Sequence, residues 1–125
     1  MTTTSDRFVE MWNQQKSFMD LLVKERGFPQ FPVDLSTKVG QKFITDTMHH
    51  CTDELHEARQ HLKNAKTHRL TQVTDIDRSA YLEELNDAFH LFLEVVIASG
   101  FSIDELFESY IEKGKVNVER IVKGY

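Results

Sequence analysis

The sequence predicts an all-α fold, a bundle of four to five helices, on three observations. Five Gly and two Pro are the only strong helix breakers in 125 residues, about half the usual share of about 12 %. A sandwich or barrel needs a turn about every 8–12 residues and is poorly served by so few. Apolar residues recur at steps of three and four along four long stretches, the period of helices with one buried face. The length fits one domain over residues 1–125 and is short for two.

The first helix is expected over about residues 6–24, where Phe8, Met11, Trp12, Phe18, Met19 and Leu22 share a face. Gln15 lies in the middle of that stripe. Gly27, Pro29 and Pro32 then end the helix and force an extended link. The second helix is expected over about 36–63, its stripe made of Val39, Phe43, Met48, Cys51, Leu55, Ala58 and Leu62. Residues 64–77 are too polar to bury and read as a loop. The third helix starts near Asp77 or Ser79. Its wide apolar surface, from Tyr81 through Leu85, Phe89 and Leu93 to Ile97, predicts the most buried helix of the four. Gly100 suits a left-handed stop. Ser102-Ile103-Asp104-Glu105 is a capping box opening the fourth helix, with Leu106, Phe107, Tyr110 and Ile111 as its apolar face. Such wide stripes expose more apolar surface than one small bundle covers. They predict a homo-oligomer, a homodimer or a dimer of dimers, with pockets near the subunit interface.

Composition narrows the function. The net charge is −5, unsuited to a nucleic-acid binder, which needs clustered Lys and Arg against phosphates. No stretch reaches 18 apolar residues, so no membrane span is expected. Met1-Thr2-Thr3-Thr4-Ser5-Asp6-Arg7 lacks the basic and apolar regions of a signal peptide. Cys51 is the single cysteine, which excludes an internal disulfide. A cytoplasmic protein is expected.

Two helices carry acids three residues apart, Glu54 with Glu57 and Glu84 with Asp87. Residues at i and i+3 are neighbours on a helix surface. Each pair borders apolar stripe positions, Leu55 and Ala58 in one case, Leu85 and Ala88 in the other. If the two helices pack antiparallel, four carboxylates meet at their seam. Their mutual repulsion calls for hard divalent cations, Mg²⁺ first, which joins a few carboxylates to substrate phosphates. Such pairs are also common on solvated helix faces, and spacing by itself leaves both readings open.

The wider run of residues resembles a known family. Glu54-x-x-Glu57, a gap of residues 58–83, then Glu84-x-x-Asp87 is similar to the signature of the all-α nucleoside triphosphate pyrophosphatases, which include MazG proteins and dimeric dUTPases. Glu84-Leu85-Asn86-Asp87-Ala88-Phe89-His90-Leu91-Phe92, the Gly100–Phe107 turn, and Lys113-Gly114-Lys115-Val116-Asn117-Val118-Glu119-Arg120 ending in Gly124-Tyr125 look like phage-type dUTP and dCTP pyrophosphatases. The resemblance implies hydrolysis of a deoxynucleoside triphosphate, dUTP first, to the monophosphate and pyrophosphate with Mg²⁺, or Mn²⁺ in its place. It implies Glu54, Glu57, Glu84 and Asp87 as metal ligands. Glu54 or Glu57 would serve as catalytic base, with Glu54 preferred. Lys113, Asn117, Arg120 and Tyr125 would be phosphate contacts, and Gln15 the base contact with Trp12 or Phe18 stacked beside it. The resemblance also implies a phage protein working in host cytoplasm.

The sequence departs from the family pattern at Gly114 and Ile121, where Asn and Gln are usual, and in a loop without the usual Lys-x-Trp. Lys66 and Arg69 in that loop are candidate replacements for a phosphate contact. Substrates dCTP and purine nucleotides are alternatives. Two further readings are a di-iron bundle, from Asp53-x-x-His56 and Asp87-x-x-His90, and a non-catalytic helical dimerisation protein.

Overall fold

The computed structural model describes residues 6–124. Four helices follow in order, α1 (Arg7–Arg26), α2 (Lys38–Arg59), α3 (Arg78–Ala98) and α4 (Ile103–Val122), and no strand occurs among the described residues. Each helix opens on a side-chain cap. Asp6 accepts from the amides of Phe8 and Val9, Thr37 from Gly40, Asp77 from Ala80 and Ser102 from Glu105. The Glu105 side chain returns a bond to the Ser102 amide at 3.2 Å, completing the capping box. Gly27 (φ 68°) ends α1 in the left-handed conformation, and Gly100 (φ 93°) turns the chain after α3 in the same region, where a Cβ is strained.

α2 and α3 form the main pair. Thr47 meets Glu94, Cys51 Sγ donates to the Ala88 carbonyl at 3.2 Å, Glu54 faces Glu84 and Asp87, and His61 lies against Tyr81. The partners run in opposite order along the two helices, so these are antiparallel. α1 packs on α3. The core joins Trp12 and Met19 of α1, Ile44 of α2, and Leu93, Val96, Ile97 and Ala98 of α3. The link between α1 and α2 folds back over this core. Val33 N donates to Ala98 O at 2.9 Å, and Phe28 and Phe31 pack on Phe43. α3 holds six buried residues, more than any other helix.

Three sequence expectations are corrected. α2 ends at Arg59, not near Lys63. Gln60, His61 and Leu62 bond three residues back instead of four, and Asn64 turns left-handed (φ 64°), so the helix tightens and unwinds. Its buried face also differs from the predicted stripe. Val39, Met48, Leu55 and Leu62 are exposed, whereas Gly40, Ile44, Thr47 and Ala58 are buried. The core-facing line runs 40, 44, 47, 51, 54, 58, and it includes a glycine, a threonine and a glutamate. A Cβ at Gly40 would collide with the Asp34 carbonyl oxygen, so this line begins on a residue chosen for close approach. α4 continues through Gly114 and reaches the core with Ile103 and Leu106, while Phe107, Tyr110 and Ile111 stay exposed. No described helix is long and apolar enough to cross a membrane. Met1–Ser5, read above for a leader, lie outside the described residues.

Candidate metal centre and adjoining groove

Glu54, Glu84 and Asp87 each bring a carboxylate oxygen within 4.8 Å of the others. Glu54 lies on the core-facing line of α2, so antiparallel packing directs it at the Glu84–Asp87 pair of α3. Two oxygens on opposite sides of a cation bonded at about 2.0–2.5 Å lie about 4–5 Å apart. The three acids therefore fit a hard divalent cation without rearrangement of the helices. Glu57 is more exposed and stands beside this group, one helical turn from Glu54.

The electrostatics follow. Burial pushes the Glu54 carboxyl above its ordinary range, and the neighbouring charges of Glu57 and Asp87 add to that. The opposing influence is His50, whose Nε2 lies 3.8 Å from Glu54 Oε1. These are acids crowded together at a cost, which a bound cation would remove.

A groove of about 680 Å³ opens from the cluster. Gln15 and Phe18 of α1, Glu54 of α2, and Asp87, His90 and Glu94 of α3 line it. Gln15 is buried, and its Oε1 lies 2.9 Å from His90 Nδ1. With the proton on Nδ1, His90 donates to that oxygen and leaves the Gln15 amide nitrogen as the outward donor. Trp12 does not reach this groove. It is buried in the core beside Phe8, their ring centroids 6.3 Å apart, and Phe18 is the aromatic that the groove presents.

Glu94 was not legible as a site residue. It is buried, next to Thr47, and burial raises its pKa against the opposing effects of His50 and the Thr47 hydroxyl. Its sequence signal was the one charge in the apolar second half of α3, residues 88–98, seven residues after Asp87 and thus on the same face. A raised carboxyl pKa makes the folded protein lose stability as pH rises through that value. Glu94→Gln is therefore expected to raise Tm by a few degrees at pH 7.5, about 1 kcal/mol or less. The gain should vanish below the ordinary value of 4.5, where both states hold the proton. Thermal scans across that pH range check it, and an unchanged or lowered Tm at pH 7.5 would contradict it.

Lys113, Asn117 and Arg120 lie on exposed positions of α4 and are not among the groove residues. Tyr125 lies outside the described residues. The acid-x-x-His pairs do not form a shared ligand set. His90 is bonded to Gln15, and His56 Nε2 lies 3.3 Å from Gln60 Nε2, while the acid cluster contains no histidine.

A family model described as dUTPase matches residues 31–125. The match spans α2, α3 and α4 with all four paired acids, and α1 with Gln15 precedes it. No curated protein and no solved structure matches the chain.

Proposed function

Because the chain belongs to the dUTPase family, a group of all-α nucleoside triphosphate pyrophosphatases, we propose that it hydrolyses dUTP to dUMP and pyrophosphate with Mg²⁺. The observation that carries this reading is the meeting of Glu54, Glu84 and Asp87 within 4.8 Å beside a groove with a buried amide. The three acids would hold the cation, with Glu57 completing the set; Mn²⁺ has similar oxygen chemistry. When bound, such a cation neutralises phosphate charge and lowers the pKa of water.

The chain's own groups supply the rest. The Glu54–Glu57 pair takes the proton of the attacking water, Glu54 being the better placed. Gln15 offers its amide N–H to a uracil carbonyl, with His90 fixing the direction of the amide, and Phe18 flanks the ring. A flipped amide would suit cytosine instead, which makes dCTP the alternative substrate. Lys113, Asn117 and Arg120, on α4 of a second copy, and Tyr125 are the proposed contacts to the phosphate chain.

A second copy is favoured by α4 itself. Phe107, Tyr110, Val118, Ile121 and Val122 are more than half exposed, an apolar stripe that water does not favour. Light scattering is expected to give twice or four times the 14.6 kDa chain mass; the mass of one chain would overturn the assembly. We further propose one domain over residues 1–125, acting in the cytoplasm.

The test of function is a panel of dUTP, dCTP, dTTP, dATP and dGTP with Mg²⁺, scored for monophosphate and pyrophosphate. The fastest turnover is expected with dUTP, and removal of the metal by chelation should stop it. No pyrophosphate from any nucleotide would sink the reading and leave a non-catalytic assembly protein.

A further inference from the structure

We infer that Glu94 reads the pyrimidine of the nucleotide, accepting the ring N3–H of uracil while Gln15 donates to a carbonyl beside it. Glu94 is 6 % exposed and nonetheless lines the groove, together with Gln15, Phe18 and His90. Two buried polar side chains, Gln15 from α1 and Glu94 from α3, thus open on one space. The proposed hydrolysis gives Glu94 no part, yet the group is costly to bury. A carboxylate has places for about four donors. Its polar neighbours on α2, Thr47 and His50, fill two at most, which leaves acceptor oxygen for a group that enters the groove. A leucine here would continue the apolar half of α3, residues 88–98, without that cost. A ligand N–H removes it.

Position fits the base rather than the phosphates. Glu94 stands two turns beyond Asp87 on the same face of α3, about 10.5 Å along the axis at about 1.5 Å rise per residue. Gln15 is held between these levels by its 2.9 Å contact with His90 Nδ1. A nucleotide with its α-phosphate at the acids places its sugar next and its base beyond, at the level of Gln15 and Glu94. Lys66 and Arg69 take no part here. They line a separate cavity with Arg59 at the end of α2, which shares no residue with the groove. The assignment rests on the proposed hydrolysis for the placement of the phosphates, but the base site is testable without turnover.

Chemistry then selects the base. Uracil presents an N–H between two carbonyls, whereas cytosine has at that ring position a nitrogen with a lone pair. An amide can turn over to offer a donor or an acceptor, but an ionised carboxylate only accepts. Burial raises the Glu94 pKa, while His50 and Thr47 oppose the rise from 4.5, so at pH 7.5 the group keeps its charge. Facing the N3–H of uracil it gains a charge-assisted hydrogen bond. Facing the bare nitrogen of cytosine it meets another lone pair. Glu94 therefore closes the choice that Gln15 leaves open, in favour of uracil.

Calorimetric titration of the full-length protein with dUMP and with dCMP, in Mg²⁺ at pH 7.5, decides the matter. Wild type is expected to bind dUMP more tightly than dCMP by about tenfold or more, the worth of one hydrogen bond to a charged group. In Glu94→Gln the amide can turn to suit either base, so the preference should shrink to about threefold or less, with circular dichroism unchanged and Tm raised. Glu94→Leu, which neither accepts nor donates, should lose about tenfold in dUMP affinity and gain none for dCMP. Absent dUMP binding by wild type, equal binding of the two monophosphates, or an unchanged preference in Glu94→Gln would each overturn the assignment. A uracil preference that Glu94→Gln abolishes, with no triphosphate hydrolysed by wild type, would defeat the proposed function alone. Hydrolysis of dUTP and dCTP by Glu94→Gln in the wild-type ratio of kcat/KM would defeat the role of Glu94 alone.

Discussion

Glu54→Gln is expected to remove about 10³-fold or more of Mg²⁺-dependent hydrolysis, about 4 kcal/mol of transition-state stabilisation. The side chain has two duties in the proposed reaction, as one of the three oxygens that meet within 4.8 Å and as half of the proton-accepting pair with Glu57. Gln keeps the volume and one acceptor oxygen but loses the charge and the ability to take a proton. Adding more Mg²⁺ should therefore restore only part of the loss. The metal-free protein should not suffer. Burial and the charges of Glu57 and Asp87 already disfavour ionised Glu54, so a neutral residue leaves its Tm level or higher at neutral pH. Single-turnover rates with dUTP at rising Mg²⁺, alongside thermal scans in chelator, check both halves. Activity within tenfold of wild type would remove Glu54 from the mechanism. A variant that loses activity and unfolds as well would show a structural role in its place.

Leu93→Ala is expected to destabilise the fold by about 2–5 kcal/mol. Leu93 is 2 % exposed and sits where α1, α2 and α3 meet with Met19, Ile44 and Trp12. Removing its outer carbons forfeits their burial and leaves a cavity that rigid helices cannot close. Chemical denaturation at fixed protein concentration should show the loss as a lower midpoint, with Tm down by about 10 °C or more. The same substitution at Leu70, which is fully exposed in the loop, should change stability by less than about 0.5 kcal/mol. Equal effects at the two positions would mean that the core has been assigned wrongly.

The helices were readable because their signals are local. Asp6, Thr37, Asp77 and Ser102 cap through bonds to residues two or three ahead, and Gly27 and Gly100 stop chains by their own backbone freedom. The spacing of Glu54 with Glu57 and of Glu84 with Asp87 was equally visible. What was misread is the buried line of α2. Val39, Met48 and Leu55 are apolar and exposed, while Gly40, Thr47 and Glu54 are inward and not apolar. A reading that equates apolar with buried rotates such a helix away from its true face. Glu94 escaped for a related reason, since an acid within an apolar helix has no local partner to announce it. Trp12 or Phe18 was expected beside the base, both being aromatic and near Gln15 in sequence; Trp12 turns into the core and Phe18 lines the groove.

By itself the sequence determined that the chain forms four helices, where three of them begin, and which acids stand in pairs. Those are properties of bonds and steric limits spanning a few residues. Only the tertiary structure decided that α2 and α3 run antiparallel in a register that joins Glu54 to Glu84 and Asp87. It alone set the Gln15 amide against His90 and drew Lys66 and Arg69 back to Arg59. Those juxtapositions depend on contacts between distant residues, which exist only after packing has chosen one face of each helix over the others.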